Sequence, residues 1–596
     1  MTDLRAATSR RHPSTRFAVL GCIALFALVL AACGGSSDDA STPPTTSGGF
    51  GAALPSDDQK RGGKLKLLSA ESFSNIDPGA IYSQLAYMVA SATQRGLYTF
   101  KPDDPKTPVP DLADGQPIVA ADNRTVRVKL KRGIRYGTNE KTAVSGKEVT
   151  AADVKYAFER GYNPSVANGY LPAYFPLVGS EQAKGGEISG ITTPDDHTIE
   201  LALSKPFAAT TARALVMPIT IPVPKSYAAP FDAKQPNVYE ADPARQAFSG
   251  PYMIERYAAG KSITLVRNPQ WDPDSDIRPA YLDRIEWTLN ADPKVAGRQI
   301  FSGSGLANGD TPAPGAVKRF ATRAKDRISF TPLGNRFVAI NTQRKPLSDL
   351  NVRKAFAAAL DRRAMQLQRG GKLVGDIASH FLPPTIPGFE EAGGVAGAGV
   401  DYLAKPAGDP ALAASYMRKA GFAGGKAGGA PIVMFGASDS PAKETAQVTR
   451  DALQSLGFDV KLRLLDPGTL NTRFCNAVSE LRKIDVCASY GWLPDFSDAY
   501  AMLNANFNGD AIVPRNNSNL SLFDDEQVNA AMAKGALISD EAQRAKAWGQ
   551  IDTQLVEQVA AIPFLWDEVP NIVSKDVHGV IAQWNAAWDL AYMSLK

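Results

Sequence analysis

The segment "RTVRVKLKRGIRYG" (124–137), followed nine residues later by "KEVTAADVKYAFERG" (147–161), sets a strand beside a helix. "TVRVKLK" (125–131) alternates strictly and puts Val126, Val128 and Leu130 on one side, the period of a half-buried strand. "TAADVKYAFERG" (150–161) opens on Thr150 as N-cap with Asp153 three residues on, close to a capping box, and closes on Gly161. The same mixture continues outward from this block. "YMIERYAAGKSITLVRN" (252–268) predicts two strands around an Ala-Ala-Gly turn. "DLNVRKAFAAALDRRAMQLQRGG" (349–371) puts Val352, Phe356, Ala359, Leu360 and Ala364 on one helical face and stops at paired Gly. "LQSLGFDVKLRLLD" (453–466) predicts a helix end, a Gly and a strand. No repeat of 20–50 residues is visible, so the pattern is mixed α and β throughout.

The first 33 residues stand apart. Arg5, Arg10, Arg11 and Arg16 form a basic stretch, and "FAVLGCIALFALVL" (17–30) is an apolar run of 14. A bilayer-spanning helix needs about 20 residues, so the run suits the core of a signal peptide. It ends in "LAAC", Leu30 to Cys33, which resembles a bacterial lipobox whose Cys receives a diacylglycerol. An ordinary signal peptide with an incidental Cys is the alternative. Acyl chains anchor with ~0.8 kcal/mol per buried CH₂. Residues 34–59, rich in Ser, Thr, Gly and Pro, cannot bury enough apolar surface to order themselves and read as a tether. No later segment has 18 uninterrupted apolar residues.

The formal charge is +4. Residues 1–32 hold four Arg and one Asp, which leaves about +1 for the rest. A neutral body argues against nucleic-acid binding, which needs clustered basic charge. The length beyond residue 60 exceeds what one core usually holds, so two or more domains are expected. Cys475 and Cys487 have 11 residues between them. A bridge closing such a loop would contribute roughly 3 kcal/mol; two buried thiols are the alternative. The four His residues lie at no ligand spacing to one another or to a Cys, which argues against a metal site. "ERYAAGKS" (255–262) has Glu255 in place of the first Gly of a phosphate-binding loop and a strand where a helix is required. "GSGLANG" (303–309) has the wrong Gly spacing for a dinucleotide site. No G-x-S-x-G or H-E-x-x-H occurs, so the usual hydrolase signatures are absent.

Taken in order, several blocks resemble the family 5 extracellular solute-binding proteins, the oligopeptide and dipeptide receptors of ABC importers. They are "NIDPG" (75–79), "RGLYTF" (95–100), the 124–161 block, "SGPYMIERYAAGKSITLVRNPQW" (249–271), "VAINTQRKPLSDLNVRKAFAAALDRRAM" (338–365), "SYMRKAGF" and "IPFLW". The resemblance implies an α/β, two-lobed periplasmic-binding-protein-like fold (class II type, cluster C) with an extra α/β domain on the first lobe. By analogy the leader is 1–33, the tether 34–59, lobe I 60–96, 217–331 and 560–596, the extra domain 97–216, and lobe II 332–559. It further implies an extracytoplasmic monomer, lipid-anchored at Cys33 to the outer face of the bacterial cell membrane. Its partners would be a small ligand and ABC permease subunits, with no cofactor and no enzymatic step.

The site reading centres on "DVCASYGWLPDFSDAYAML" (485–503). Open α/β sheets bind ligands beyond the carboxyl ends of their strands, and an apolar run here breaks at Gly491-Trp492. Asp498 fits a helix N-cap; relatives commonly have Pro next, where this chain has Ala499. Asp495 lies three residues too early to be that cap. By resemblance it would hold a peptide's α-ammonium, a carboxylate facing a group with three donors; a structural turn carboxylate is the alternative. At ~4 Å such a pair attracts by about 4 kcal/mol at an effective dielectric of 20, against about 1 in water, and desolvation opposes part of it. Trp492 would be a flat wall for the ligand or plain core packing. Tyr82 and Gln84 would face it across the cleft, with Trp566 near an aromatic contact position. Four functions compete: a peptide receptor, a receptor of the same fold for an oligosaccharide or another solute, an anchored hydrolase, and a sensor without transport.

Overall fold

The computed structural model describes residues 59–73, 75–81, 83–102, 104–140, 142–166, 168–232, 234, 239, 242–579 and 588–596. Cys33 with the rest of the expected leader, all of the tether but Gln59, and Tyr82 lie outside the described residues.

The 124–161 block folds as its pattern predicts. Val126 and Val128 are buried in the strand Thr125–Lys129 while Arg127 and Lys129 face water. The helix Ala151–Gly161 starts with the Asp153 carboxylate accepting the Thr150 backbone N–H at 2.9 Å. The strand sits in a four-stranded antiparallel sheet, ordered Ile118–Val119, Thr125–Lys129, Thr198–Ala202, Ile191–Asp195.

A second sheet has five strands, in the order Leu306–Asn308, Lys64–Leu68, Arg284–Thr288, Ser262–Arg267, Tyr252–Ala258. Its last two form the predicted hairpin, closed by Gly260 in the left-handed region (φ 67°) where a side chain would be strained. Its core gathers Leu65, Leu67, Ile254, Leu265, Ile285 and Trp287 with Trp588.

The third sheet has six strands, in the order Gly375–Asp376, Ala561–Ile572, Ile328–Ile340, Val486–Trp492, Pro431–Ala437, Asp459–Leu465. Ile328–Ile340 and Ala561–Ile572 pair antiparallel from Ile328–Ile572 to Ala339–Ala561. At one end Ile572 packs with Ile300, Phe320 and Ala324, and Val573 bridges to Ala307 beside the five-stranded sheet. At the other end Phe337 and Ile340 join the core of the six-stranded sheet. These two strands thus run from the neighbourhood of the five-stranded sheet into the core of the six-stranded one. Residues 561–572, expected in the first lobe, are hydrogen-bonded to Ile328–Ile340 in the same sheet as strands expected in the second, and the expected 331/332 boundary lies within the strand Ile328–Ile340.

One expectation is corrected. The single helix over 349–371 is two helices, Leu350–Ala359 and Arg362–Arg369. Asp361 breaks it by turning its carboxylate onto the Ala364 N–H at 2.7 Å, a local bond that competes with the helical ladder.

Candidate functional site

The strand Val486–Trp492 lies inside its sheet, antiparallel to Ile328–Ile340 and parallel to Pro431–Ala437. Its carboxyl end is held from three sides. The Trp492 N–H donates to the Asn335 side-chain oxygen at 3.2 Å, and its indole N–H to the Ala501 carbonyl at 2.8 Å, which fixes the ring. At Gly491 a Cβ would lie 2.5 Å from the Asn335 carbonyl oxygen and 2.6 Å from Arg336 Cδ, so no side chain fits. Cys487 is bonded to Cys475 with Cα atoms 6.3 Å apart, tying the turn Leu470–Cys475 to this strand. Beyond the strand, Asp498 caps the helix Ala499–Phe507, accepting the Tyr500 N–H at 2.8 Å. Asp495, between strand and helix, is 7% exposed and accepts a hydrogen bond from the Tyr174 hydroxyl.

A cavity of about 200 Å³ lies over this end, lined by Gln84, Tyr87, Tyr490, Gly491, Trp492, Leu493 and Asp495. Gln84 and Tyr87 come from the helix Gln84–Thr93, the other five from the end of the strand Val486–Trp492 and the turn after it. The Tyr87 hydroxyl is buried and has no hydrogen-bond partner among the described residues. Burial, reinforced by nearby Tyr170 and Asp495, raises its pKa well above the ordinary phenol value, so it remains a neutral donor. Burial pushes Tyr490 up to about 12, against hydrogen bonds to Asn476 and Ser518. The lining is thus three aromatic rings, one carboxylate, one amide and one unpaired hydroxyl, suited to a small ligand with an apolar body and a cationic or donor end.

The structure brings together Asp495, Trp492, Gly491 and Gln84. Trp566 is elsewhere: it is 3% exposed, with its ring 5.0 Å from those of both His380 and Phe389. Its strand pairs on both sides there, with Asn335 and Asp376, which fixes the ring in that cluster. Tyr87, Tyr490, Leu493 and Tyr174 were missed. Tyr87 lies three residues after Gln84, hence on the same helical face, a signal that the sequence carried. Tyr174 meets Asp495 from 321 residues away, and nothing local announces it.

Beside Gly491 is a charged group outside the cavity lining. Asp567 accepts from Arg336 at 2.6 Å and from Arg369 at 3.1 Å. Among the described residues no three His, Cys, Asp or Glu side chains group to hold a metal ion, and no helix is long and apolar enough to cross a membrane.

Residues 107–512 match the bacterial extracellular solute-binding proteins, family 5, middle region. The chain belongs to this family. The dipeptide-binding protein of Pseudomonas aeruginosa is 23% identical over 539 residues, covering 89% of this chain and 94% of the relative. The oligopeptide-binding protein OppA of Bacillus subtilis is 24% identical over 510 residues, covering 81% and 82%. Among solved structures, clavulanic acid biosynthesis oligopeptide binding protein 2 is similar with a TM-score of 0.80 and 26% identity, over 92% of this chain and 98% of its own. The periplasmic binding protein DppA from Helicobacter pylori, in complex with the peptide STSA, gives 0.70 and 19% over 90% and 98%. The fold of this family 5 chain is the two-lobed one of periplasmic peptide-binding proteins, and its cavity lies between the helix Gln84–Thr93 and the end of the strand Val486–Trp492.

Proposed function

We propose that this chain is a receptor that captures a peptide in the cavity between Gln84–Thr93 and the end of Val486–Trp492, then delivers it to an ABC importer without breaking any bond in it. The observation that carries the reading is a buried Asp495 carboxylate lining the same cavity as the unpaired Tyr87 hydroxyl. A peptide's α-ammonium supplies the donors that a carboxylate accepts, and its backbone carbonyls accept from a phenol. The printed functions of the relatives, dipeptide and oligopeptide binding, agree with a peptide. The Leu30–Cys33 lipobox and the following tether support extracytoplasmic, lipid-anchored placement; we further propose a monomer with permease subunits as partners. Asp495, Trp492, Gly491 and Gln84 are its proposed contacts.

A second reading keeps the fold and changes the cargo. The walls Tyr87, Tyr490 and Trp492 would also stack against the rings of an oligosaccharide, with Asp495 accepting from its hydroxyls. A melting screen of short peptides against oligosaccharides separates the two, since a ligand at 100 times its Kd stabilises by ~2.7 kcal/mol. Peptides that raise the melting temperature support the first reading; oligosaccharides alone doing so would replace it with the second.

A further inference from the structure

A polar and aromatic contact, separate from the cavity lining, joins the four-stranded domain to the second lobe. Its centre is Asp498, 3% exposed. Arg544, of the same lobe, meets this carboxylate with two bonds, Nε at 2.7 Å and Nη2 at 2.8 Å. Arg544 also donates to the Gly535, Ala536 and Ile538 carbonyls at 3.0–3.2 Å, so this pair is satisfied within its own lobe. A second guanidinium arrives from the other side. Arg213, on the helix Ala208–Ala214, places Nε 3.2 Å from Asp498 Oδ2 and pairs with the exposed Glu541. Next to it the Thr210 hydroxyl donates to the Ala536 carbonyl at 2.8 Å and accepts from Arg544 at 3.1 Å. Rings complete the seam: Phe207 lies 5.4 Å from Tyr500, and Tyr174 5.0 Å from Phe496.

We propose that Arg213 is a positioning residue for ligand capture: with Asp498 it forms a latch that holds the four-stranded domain on the second lobe and so sets Tyr174 over Asp495. The mechanical link is on the same helix. The Thr211 hydroxyl donates to the Tyr174 carbonyl at 2.8 Å, and the Tyr174 hydroxyl donates to Asp495. The asymmetry of the two arginines makes the contact reversible. When the seam parts, Asp498 keeps Arg544 and its helix N–H, while Arg213 keeps its 2.7 Å bond to the Ala209 carbonyl and gains water. Neither side is left as an unpaired buried charge, which would be costly. The outer arm of the cluster, Arg213 with the exposed Glu541, is screened by salt, and the buried Arg213–Asp498 contact is screened less, so the joined form weakens moderately as ionic strength rises.

The proposal rests on the reading that ligand binds at Asp495, but its first test needs no ligand. Small-angle scattering of the unliganded protein is compared for wild type, Arg213→Ala and Arg213→Lys in about 0.05 M and about 1 M NaCl. The expected result is a larger radius of gyration for Arg213→Ala at low salt, matching wild type at high salt, with Arg213→Lys recovering most of the compaction. The ratio of parted to joined forms should rise about fivefold to tenfold in Arg213→Ala. Superimposable profiles of wild type and Arg213→Ala at both salt concentrations would overturn the proposal. Should Arg213→Ala fail to fold by circular dichroism, wild type alone decides: expansion between the two salt concentrations supports the latch and its absence overturns it. In a second arm, a tripeptide that stabilises the protein should bind Arg213→Ala about tenfold more weakly, with the loss vanishing at high salt. Absence of any peptide binding would refute the cavity reading and leave the scattering result standing.

Discussion

The Tyr87 hydroxyl is buried beside Asp495 without a partner among the described residues, and a group in that position destabilises by about 1–3 kcal/mol. Tyr87→Phe should therefore leave the unliganded protein as stable as wild type or up to ~1 kcal/mol more stable in urea melts. The same change should weaken a bound peptide about tenfold by calorimetry, because the lost hydroxyl is the one a ligand carbonyl would use. Glu568, on the strand Ala561–Ile572, gives a pH signature. Burial first, then the Asp376 and Asp567 carboxylates, push it from 4.5 up to about 7. Its folded value lies above its unfolded one, so folding takes up a proton between those values. The contribution to stability is complete below about pH 4.5 and is lost as the pH rises through 7. Glu568→Gln should match wild type at pH 4.5 and exceed it by ~1–3 kcal/mol at pH 8, read from urea melts at the two values.

At the scale of elements, the end of Val486–Trp492 is shaped by close packing. Gly491→Ala would push a methyl against the Asn335 carbonyl and Arg336 and should destabilise by about 1–3 kcal/mol in a denaturant melt. Replacing Cys475 and Cys487 by Ser should remove roughly 2–3 kcal/mol, since the bridge closes a loop of sequence separation 12. Elements governed by near neighbours were readable from the residues: the Val126–Val128 strand, the Thr150–Asp153 cap, the hairpin turning at Gly260 and the Asp498 cap. The break at Asp361 was not, because the apolar period runs on through Leu360 to Ala364 while one side-chain bond decides against the continuous helix. Trp566 shows the other limit. Its surroundings depend on which strands flank Ala561–Ile572, and that pairing joins Trp566 to residues 190 or more positions away.

On the scale of the whole molecule, the paired strands Ile328–Ile340 and Ala561–Ile572 run from beside the five-stranded sheet into the six-stranded one, and a small change at such a connection moves every residue beyond it. The ordered blocks of sequence announced this architecture and four of the cavity residues. They did not announce the parts built by docking distant segments: Tyr174 on Asp495, Tyr87 opposite Trp492, Arg213 on Asp498. Each is a pairing across lobes or domains, fixed by the final packing and invisible in local patterns.

Calorimetric titration of wild type and Asp495→Ala, each with one stabilising tripeptide and its N-acetylated form, tests peptide capture at this cavity most directly. Removing either charge should weaken binding 10²–10³-fold, about 3–4 kcal/mol, and removing both should weaken it no further, because the two partners lose the same interaction. Equal affinity for the free and acetylated peptides, or an unchanged affinity in Asp495→Ala, would contradict the account.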